Sequence, residues 1–339
     1  MNLEKPFIIA EMSGNHNQSL ERALAIVDAA AAAGVDAVKI QTYTADTMTL
    51  DIAAGEFFIA NQDSLWKGES LYNLYEKAHT PWEWHKLIFE RCKEHGILGF
   101  STPFDDTSVD FLEELDVPCY KIASFENVDI PLIRKVARTG KPMIVSTGMT
   151  TVSEIAELVR TARENGCRDL TLLKCTSSYP ASAEGTNLRT IPHMRKLFNC
   201  EVGLSDHTLG IGVAVASVAL GASVIEKHFT LSRADGGVDV AFSLEPDEMA
   251  QLVRECRAAA LAMGKVCYEI AEQEKKSLRF RRSLYIVEDM KAGDVITAEN
   301  MRRIRPGLGL SPKYYEAVLG RRVKCDVARG TALSWDVLA

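Results

Sequence analysis

The sequence predicts an α/β fold, a TIM (β/α)8 barrel followed by a small β-rich module. Three observations carry this. Eight short apolar runs alternate with helical patterns over the first 265 or so residues, in units of about 30 residues. No GxGxxG follows the first run, which favours closure over an open doubly wound sheet. After about residue 270 the helical period gives way to short strands and turns.

The strand-like runs are FIIAEM (7–12), DAVKIQTY (36–43), ILGFSTP (97–103), CYKIAS (119–124), PMIVST (142–147), LTLLKCT (170–176), EVGLSD (201–206) and SVIEKHFT (223–230). Between the first two, Leu20, Leu24, Val27 and Ala31 recur at helical spacing and Gly34 is a stop. TVSEIAELVRTARENG repeats the pattern, with Thr151 or Ser153 as cap and Gly166 as terminator. Pro81 stands at a first-turn position before WEWHKLIFERCKEHG. Residues 44–80 are too long for a simple barrel loop, and read equally well as a substrate lid or as a helical insertion. The expected domains are a barrel over 1–268, a polar, basic linker over 269–282, and a compact module over 283–339 with turns at KAGD and ARGT.

Composition excludes several classes. The net charge of −7 argues against a dedicated nucleic-acid binder. No run approaches the roughly 18 apolar residues of a membrane span. MNLEKPFIIAE carries acidic residues and does not read as a signal peptide. The eight cysteines form no CxxC pair, so reduced thiols in a cytoplasmic enzyme are the simpler expectation.

Barrel chemistry gathers at the C-terminal ends of the strands. Those ends carry Glu11, then Lys39 and Gln41, Ser101 and Thr102, Lys121, Ser124 and Glu126, Ser146 and Thr147. They continue with Lys174, Ser177 and Tyr179, then Ser205 and His207, then Glu226 and His228. Lys39 and Gln41 share strand parity, as do Glu226 and His228, so each pair can face inward. Lysines buried there need an anion or a carboxylate partner. The first alternative gives a cationic cradle for phosphate and carboxylate; the second gives internal ion pairs. Neutral His207 and His228, on consecutive strands, suit a divalent ion that leaves positions for a carbonyl substrate. Glu11 is a general base or a salt-bridge partner. His16 in SGNHN is ambiguous beside a helix start. Cys119 and Cys175 read as core. In MRRIRPGLGLSP, Arg305 between Ile304 and Pro306 is the arginine best placed to reach a neighbouring site. A Schiff-base aldolase using Lys121 or Lys174, and a carbohydrate- or ice-binding protein, are the rival readings.

The motifs IIAEMSGNHN, VKIQTY, STPFD, YKIASFEN, STGM, LKCTSSYP, GLSDHT, IEKHFT and RPGLG run in order through nearly the whole chain. Together they resemble the sialic acid synthase family, which condenses phosphoenolpyruvate with an N-acylated sugar. Residues 283–339 resemble that family's antifreeze-like (SAF) domain. The resemblance implies that His207 and His228 hold the divalent metal, Mn2+ first, with Mg2+ or Co2+ as alternatives. It implies that Lys39, Lys121, Ser124, Ser146 and Ser205 bind phosphoenolpyruvate, and that Glu11 lies near the reacting carbonyl or water. Gln41, Glu126, Ser177, Tyr179, Asp239 and Arg305 fall to the sugar, with Arg305 supplied by the partner chain of a domain-swapped homodimer. AEMSGNHNQ and QTYTADTMTLD are most similar to the branch that makes pseudaminic acid. Ser177 stands where neuraminate-forming members carry Asn. Both features imply a 2,4-diacetamido-2,4,6-trideoxy-L-altrose acceptor, with the legionaminic branch as the nearest alternative.

Overall fold

The computed structural model describes residues 5–61 and 64–339. The chain forms two compact units, Met1–Gly264 and Lys265–Ala339. In the first, eight parallel strands close into a barrel in sequential order. They are β1 Phe7–Glu11, β2 Ala37–Thr42, β3 Leu98–Pro103, β4 Tyr120–Ile122, β5 Met143–Ser146, β6 Leu170–Cys175, β7 Glu201–Asp206 and β8 Val224–His228. Most are one or two residues shorter than the apolar runs. β4 is the extreme case, with only three residues before Ala123–Glu126 turn away.

Local signals set the helix ends. Ser19 caps Leu20–Ala33, and Gly34 closes it in the left-handed conformation with φ 85°. Thr151, not Ser153, caps Val152–Glu164, because Glu154 completes a capping box with it. Pro81 precedes a short 3-10 turn, Trp82–Trp84, and the helix proper starts at His85.

Two apolar layers hold the barrel. Helices pack on its outer face through residues such as Ile26, Leu112, Ile133, Leu158 and Leu252. Inside, Ile9, Ala37, Phe100, Ile144, Leu173 and Val224 plug the lower half together with Cys119. β7 contributes Gly203 at this level; a Cβ there would meet the Val224 carbonyl oxygen at 2.2 Å, so no larger residue fits. The plug confines polar chemistry to the upper mouth.

In the second unit, β9 (Ser283–Ile286) pairs antiparallel with β10 (Met301–Ile304). Leu284, Ile286, Met301, Val318, Val323 and Leu333 form its core. Among the described residues, no helix is long and apolar enough to cross a membrane.

Candidate active site

Above the plug, strand parity turns Glu11, Lys39, Lys121, Ser146, Ser205 and Glu226 into one cavity of about 360 Å³. Barrel closure then decides their partners. Glu11 lies in register with Lys39 on one side and His228 on the other. Lys39 ion-pairs with Glu11 and lies 3.9 Å from Glu226. Its Nζ also donates to Thr102 Oγ1 at 3.1 Å. Lys121 donates to both oxygens of Glu226 at 2.8 Å, and Ser205 Oγ donates to Oε1 at 3.1 Å. Gln41 Nε2 donates to Glu11 Oε1 at 2.8 Å.

The charged groups of this layer are almost wholly buried, so they shift one another strongly. Burial alone would raise Glu226, but Lys121 and Lys39 hold its carboxyl down at about 2. Burial pushes Glu11 up against the opposing pull of Lys39. Burial likewise lowers Lys121 despite Glu226. The ligand-free mouth is therefore a neutralised double ion pair, the second of the two alternatives left open for the buried lysines. Glu126 and Asp239 add further carboxyls to the same cavity.

His207 and His228 face each other across the rim, with ring centroids 5.3 Å apart. His207 Nδ1 donates to the Thr176 carbonyl at 3.1 Å, which fixes the tautomer and leaves Nε2 free. Burial, with His207 and Lys39 nearby, holds His228 well below the ordinary imidazole range, so its ring is neutral. His228 Nδ1 is buried and finds no hydrogen-bond partner. Phe242 packs its ring 4.8 Å from His228 and 5.2 Å from Tyr179, and Tyr179 lies 4.5 Å from His207. Among the described residues, no cluster of three or more His, Cys, Asp or Glu has metal-holding geometry. Two fixed imidazoles beside an excess of carboxyls nonetheless fit a divalent ion that takes its other ligands from water and substrate.

Three buried polar atoms on the cavity wall lack protein partners: Ser146 Oγ, Glu126 Oε2 and His228 Nδ1. Such atoms are rare in folded proteins, and their unused hydrogen-bonding capacity is available to ligand groups. Around them, Asn127 Nδ2 donates to the carbonyls of Ser146 and Gly148 at 3.1 and 3.0 Å, and Gly148 N donates to Ser124 Oγ at 3.1 Å. These bonds fix the β4 and β5 turns against each other.

Burial raises Glu126 from 4.5 to about 7. A carboxyl raised on folding contributes its stability fully below about pH 4.5 and loses it as pH rises through 7. Glu126→Gln, neutral throughout, should match the wild type at the acid end and exceed it above pH 7, by about 2–3 kcal/mol. Melting curves of both proteins across that window, without ligand, check this; a constant difference would refute it.

Every barrel residue that the resemblance assigns to metal, phosphoenolpyruvate or sugar lines this cavity, including Ser177, Tyr179 and Asp239, whereas the strand-end candidates Ser101, Thr102, Thr147 and Lys174 do not. Arg305 lies exposed on the second unit. Lys174 turns out of the cavity and donates to the Cys175 carbonyl at 2.8 Å, which removes it as a Schiff-base lysine. His16 sits apart, between Thr80 Oγ1 at 3.3 Å and the Trp84 ring, and burial drops it to about 4.

Cys175 is buried, as expected, but it also lines the cavity, with Sγ 3.9 Å from His207 Nδ1. Burial would raise its thiol, but the His207 contact brings it to about 7. Its parity with Ser177 was the available signal. Residues 44–80 supply one wall, through Met48, Ile59, Trp66, Leu71 and Leu74. Trp66 Nε1 donates to the Val238 carbonyl at 2.9 Å. No local pattern marked Trp66 or Phe242.

Known proteins resemble this chain along nearly its whole length. The NeuB family model covers residues 26–268 and the SAF domain model residues 281–339. The pseudaminic acid synthase of Campylobacter jejuni (strain 81-176) is 45% identical over 97% of this chain and 96% of its own length. An N,N'-diacetyllegionaminic acid synthase of Campylobacter jejuni is 36% identical over 94% of this chain and 96% of its own. The crystal structure of an N-acetylneuraminic acid (sialic acid) synthetase from Leptospira borgpetersenii in complex with citrate superposes with a TM-score of 0.71. It is 33% identical and covers 82% of this chain and 92% of that one. With a barrel of this topology, this rim of lysines and histidines, and end-to-end similarity of that order, the chain belongs to the NeuB family.

Proposed function

We propose that the protein is a pseudaminic acid synthase, which condenses phosphoenolpyruvate with 2,4-diacetamido-2,4,6-trideoxy-L-altrose and releases phosphate. The observation that carries the reading is the single cavity in which Lys39, Lys121 and the orphaned Ser146 hydroxyl lie beside two fixed imidazoles. The relative of that name is more similar than the legionaminic acid synthase.

Lys39, Lys121, Ser124, Ser146 and Ser205 bind the phosphate and carboxylate. On binding, the anion takes over part of the lysines' charge from Glu11 and Glu226. His207 and His228 would hold a divalent ion, Mn2+ first, and that ion would supply Lewis-acid activation of the sugar's aldehyde. The π pair of the phosphoenolpyruvate double bond joins carbon 3 to the aldehyde carbon and leaves carbon 2 cationic, while the C=O π pair moves to the aldehyde oxygen, which takes up a proton to become the new hydroxyl. Water adds to carbon 2. Glu11, raised by burial, takes the water's proton. The tetrahedral product collapses by C–O cleavage and phosphate departs. Holding both substrates in line contributes part of the rate, as much as roughly 7–11 kcal/mol in well-oriented pairs.

Glu126, Ser177, Tyr179 and Asp239 contact the sugar, with Gln41 beside Glu11. The apolar wall of Met48, Ile59, Leu71 and Leu74 suits the methyl groups of a deoxy, acetamido sugar better than a polyhydroxylated one. The test is phosphate release with Mn2+ and three acceptors: N-acetylmannosamine, the 2,4-diacetamido-trideoxy-mannose and the L-altrose compound. Release with the altrose compound alone is expected. Preference for a manno sugar would overturn the acceptor; release in excess EDTA would overturn the metal.

In a domain-swapped homodimer, Arg305 of the second unit reaches the partner's sugar. Arg305→Ala should then raise the sugar KM several-fold and leave the phosphoenolpyruvate KM and the melting temperature unchanged. An unaltered sugar KM would count against the swap.

A further inference from the structure

We propose that the buried Asp206–Lys227 ion pair is the positioning device that fixes His207 against His228 and so sets the affinity for the divalent cation. This rests on the reading of the two histidines as metal ligands.

Each member of the pair immediately precedes one histidine, and the two are register partners across β7 and β8. Lys227 Nζ lies 2.7 Å from Asp206 Oδ2, with the side chains 0% and 1% exposed. Lys227 also donates to the Thr208 carbonyl. Asp206 Oδ1 accepts from Thr208 N at 2.9 Å and from Thr208 Oγ1 at 2.8 Å. The residues on both sides of His207 are thus tied to the side chain that precedes His228. Strand parity turns the pair away from the cavity, so it touches no substrate.

Few hydrogen bonds reach the rings, which otherwise pack against Tyr179 and Phe242. His207 Nδ1 bonds to the Thr176 carbonyl and meets Cys175 Sγ at 3.9 Å, and His228 Nδ1 has no partner. Their spacing is therefore set by the main chain. The His207 carbonyl accepts from Ala181 N at 2.9 Å and the His228 carbonyl from Leu244 N at 2.8 Å. The ion pair closes this clamp between the two strands.

Stability alone accounts poorly for such a pair. Apolar replacement of a buried ion pair is often neutral or stabilising, whereas removing one partner leaves an uncompensated charge. A role in orienting ligands accounts for the fixed geometry directly.

The test uses the full chain without substrates. Mn2+ affinity is measured by calorimetry for the wild type, for Asp206→Leu/Lys227→Met, and for Asp206→Asn. The last keeps the acceptor for Thr208 and loses the charge. Melting temperature and phosphoenolpyruvate affinity without metal are read in parallel. Mn2+ affinity should fall roughly 10–100-fold in the double variant and by about tenfold in Asp206→Asn. Melting temperature should stay within a few degrees in the double variant and fall by about 10 °C in Asp206→Asn, where Lys227 loses its partner, and phosphoenolpyruvate affinity should not change in either. Should the double variant fail to fold, Asp206→Asn decides alone. Unchanged Mn2+ affinity beside a wild type that binds Mn2+ overturns this inference, as does an equal loss of phosphoenolpyruvate affinity. A wild type that binds no Mn2+ overturns the metal reading and this inference with it.

Discussion

Glu226→Gln should lower the melting temperature of the ligand-free protein by about 10 °C, and phosphoenolpyruvate should restore most of the loss. Glu226 accepts from Lys121 through both oxygens and lies within ion-pair reach of Lys39. Removing its charge leaves two buried ammonium groups with Glu11 as the nearest carboxylate. Breaking a buried pair from one side costs about 3–5 kcal/mol. For a domain of this size, each kcal/mol is worth about 2–4 °C. An anion bound to the lysines then supplies the missing charge, so the variant gains more from phosphoenolpyruvate than the wild type does. Differential scanning with and without the ligand reads both quantities. A melting temperature equal to the wild type's would mean that the lysines are not held by Glu226. An equal ligand shift would mean that the anion does not engage them.

His228→Ala should behave in the opposite way, with activity lost and the fold kept. His228 Nδ1 has no protein partner, so truncation strands no hydrogen-bonding group. The remaining cost is the lost packing on Phe242. The turnover number should drop at least a thousandfold, equivalent to about 4 kcal/mol of transition-state stabilisation. The melting temperature should move by only a few degrees. Residual activity within tenfold of wild type would remove His228 from the metal site. Collapse of the fold would make it a structural residue.

The contrast between these two residues was not legible from their motif. Glu226 and His228 lie two apart on β8 with the same parity, and both read as cavity-facing. One is held by three side chains; the other has none bonded to Nδ1. Which groups meet depends on strands that are neighbours only after folding. For the same reason the lysines read, as a set, as a cationic cradle, although ion pairing was as good a reading for any one of them. Glu11 meets Lys39 because β1 pairs β2, and Lys121 meets Glu226 across the barrel interior.

Cys175 shows a different limit. Its apolar neighbours on β6 suggested core, but parity with Ser177 was the better guide to its direction. Trp66 and Phe242 lay out of reach of either argument. Both come from irregular segments, and Trp66 meets the Val238 carbonyl across 172 residues of sequence.

By itself the sequence determined the eight strands, the helices between them and the residues at each strand end. Those depend on periodicity, capping and parity, which act within a few residues of chain. Only closure of the barrel decided that the lysines are neutralised, that Ser146, Glu126 and His228 are left unpartnered, and that residues 44–80 wall the cavity. Those facts depend on burial and on contacts between distant segments, because a charge or a hydrogen-bonding group acquires its energy from whatever surrounds it.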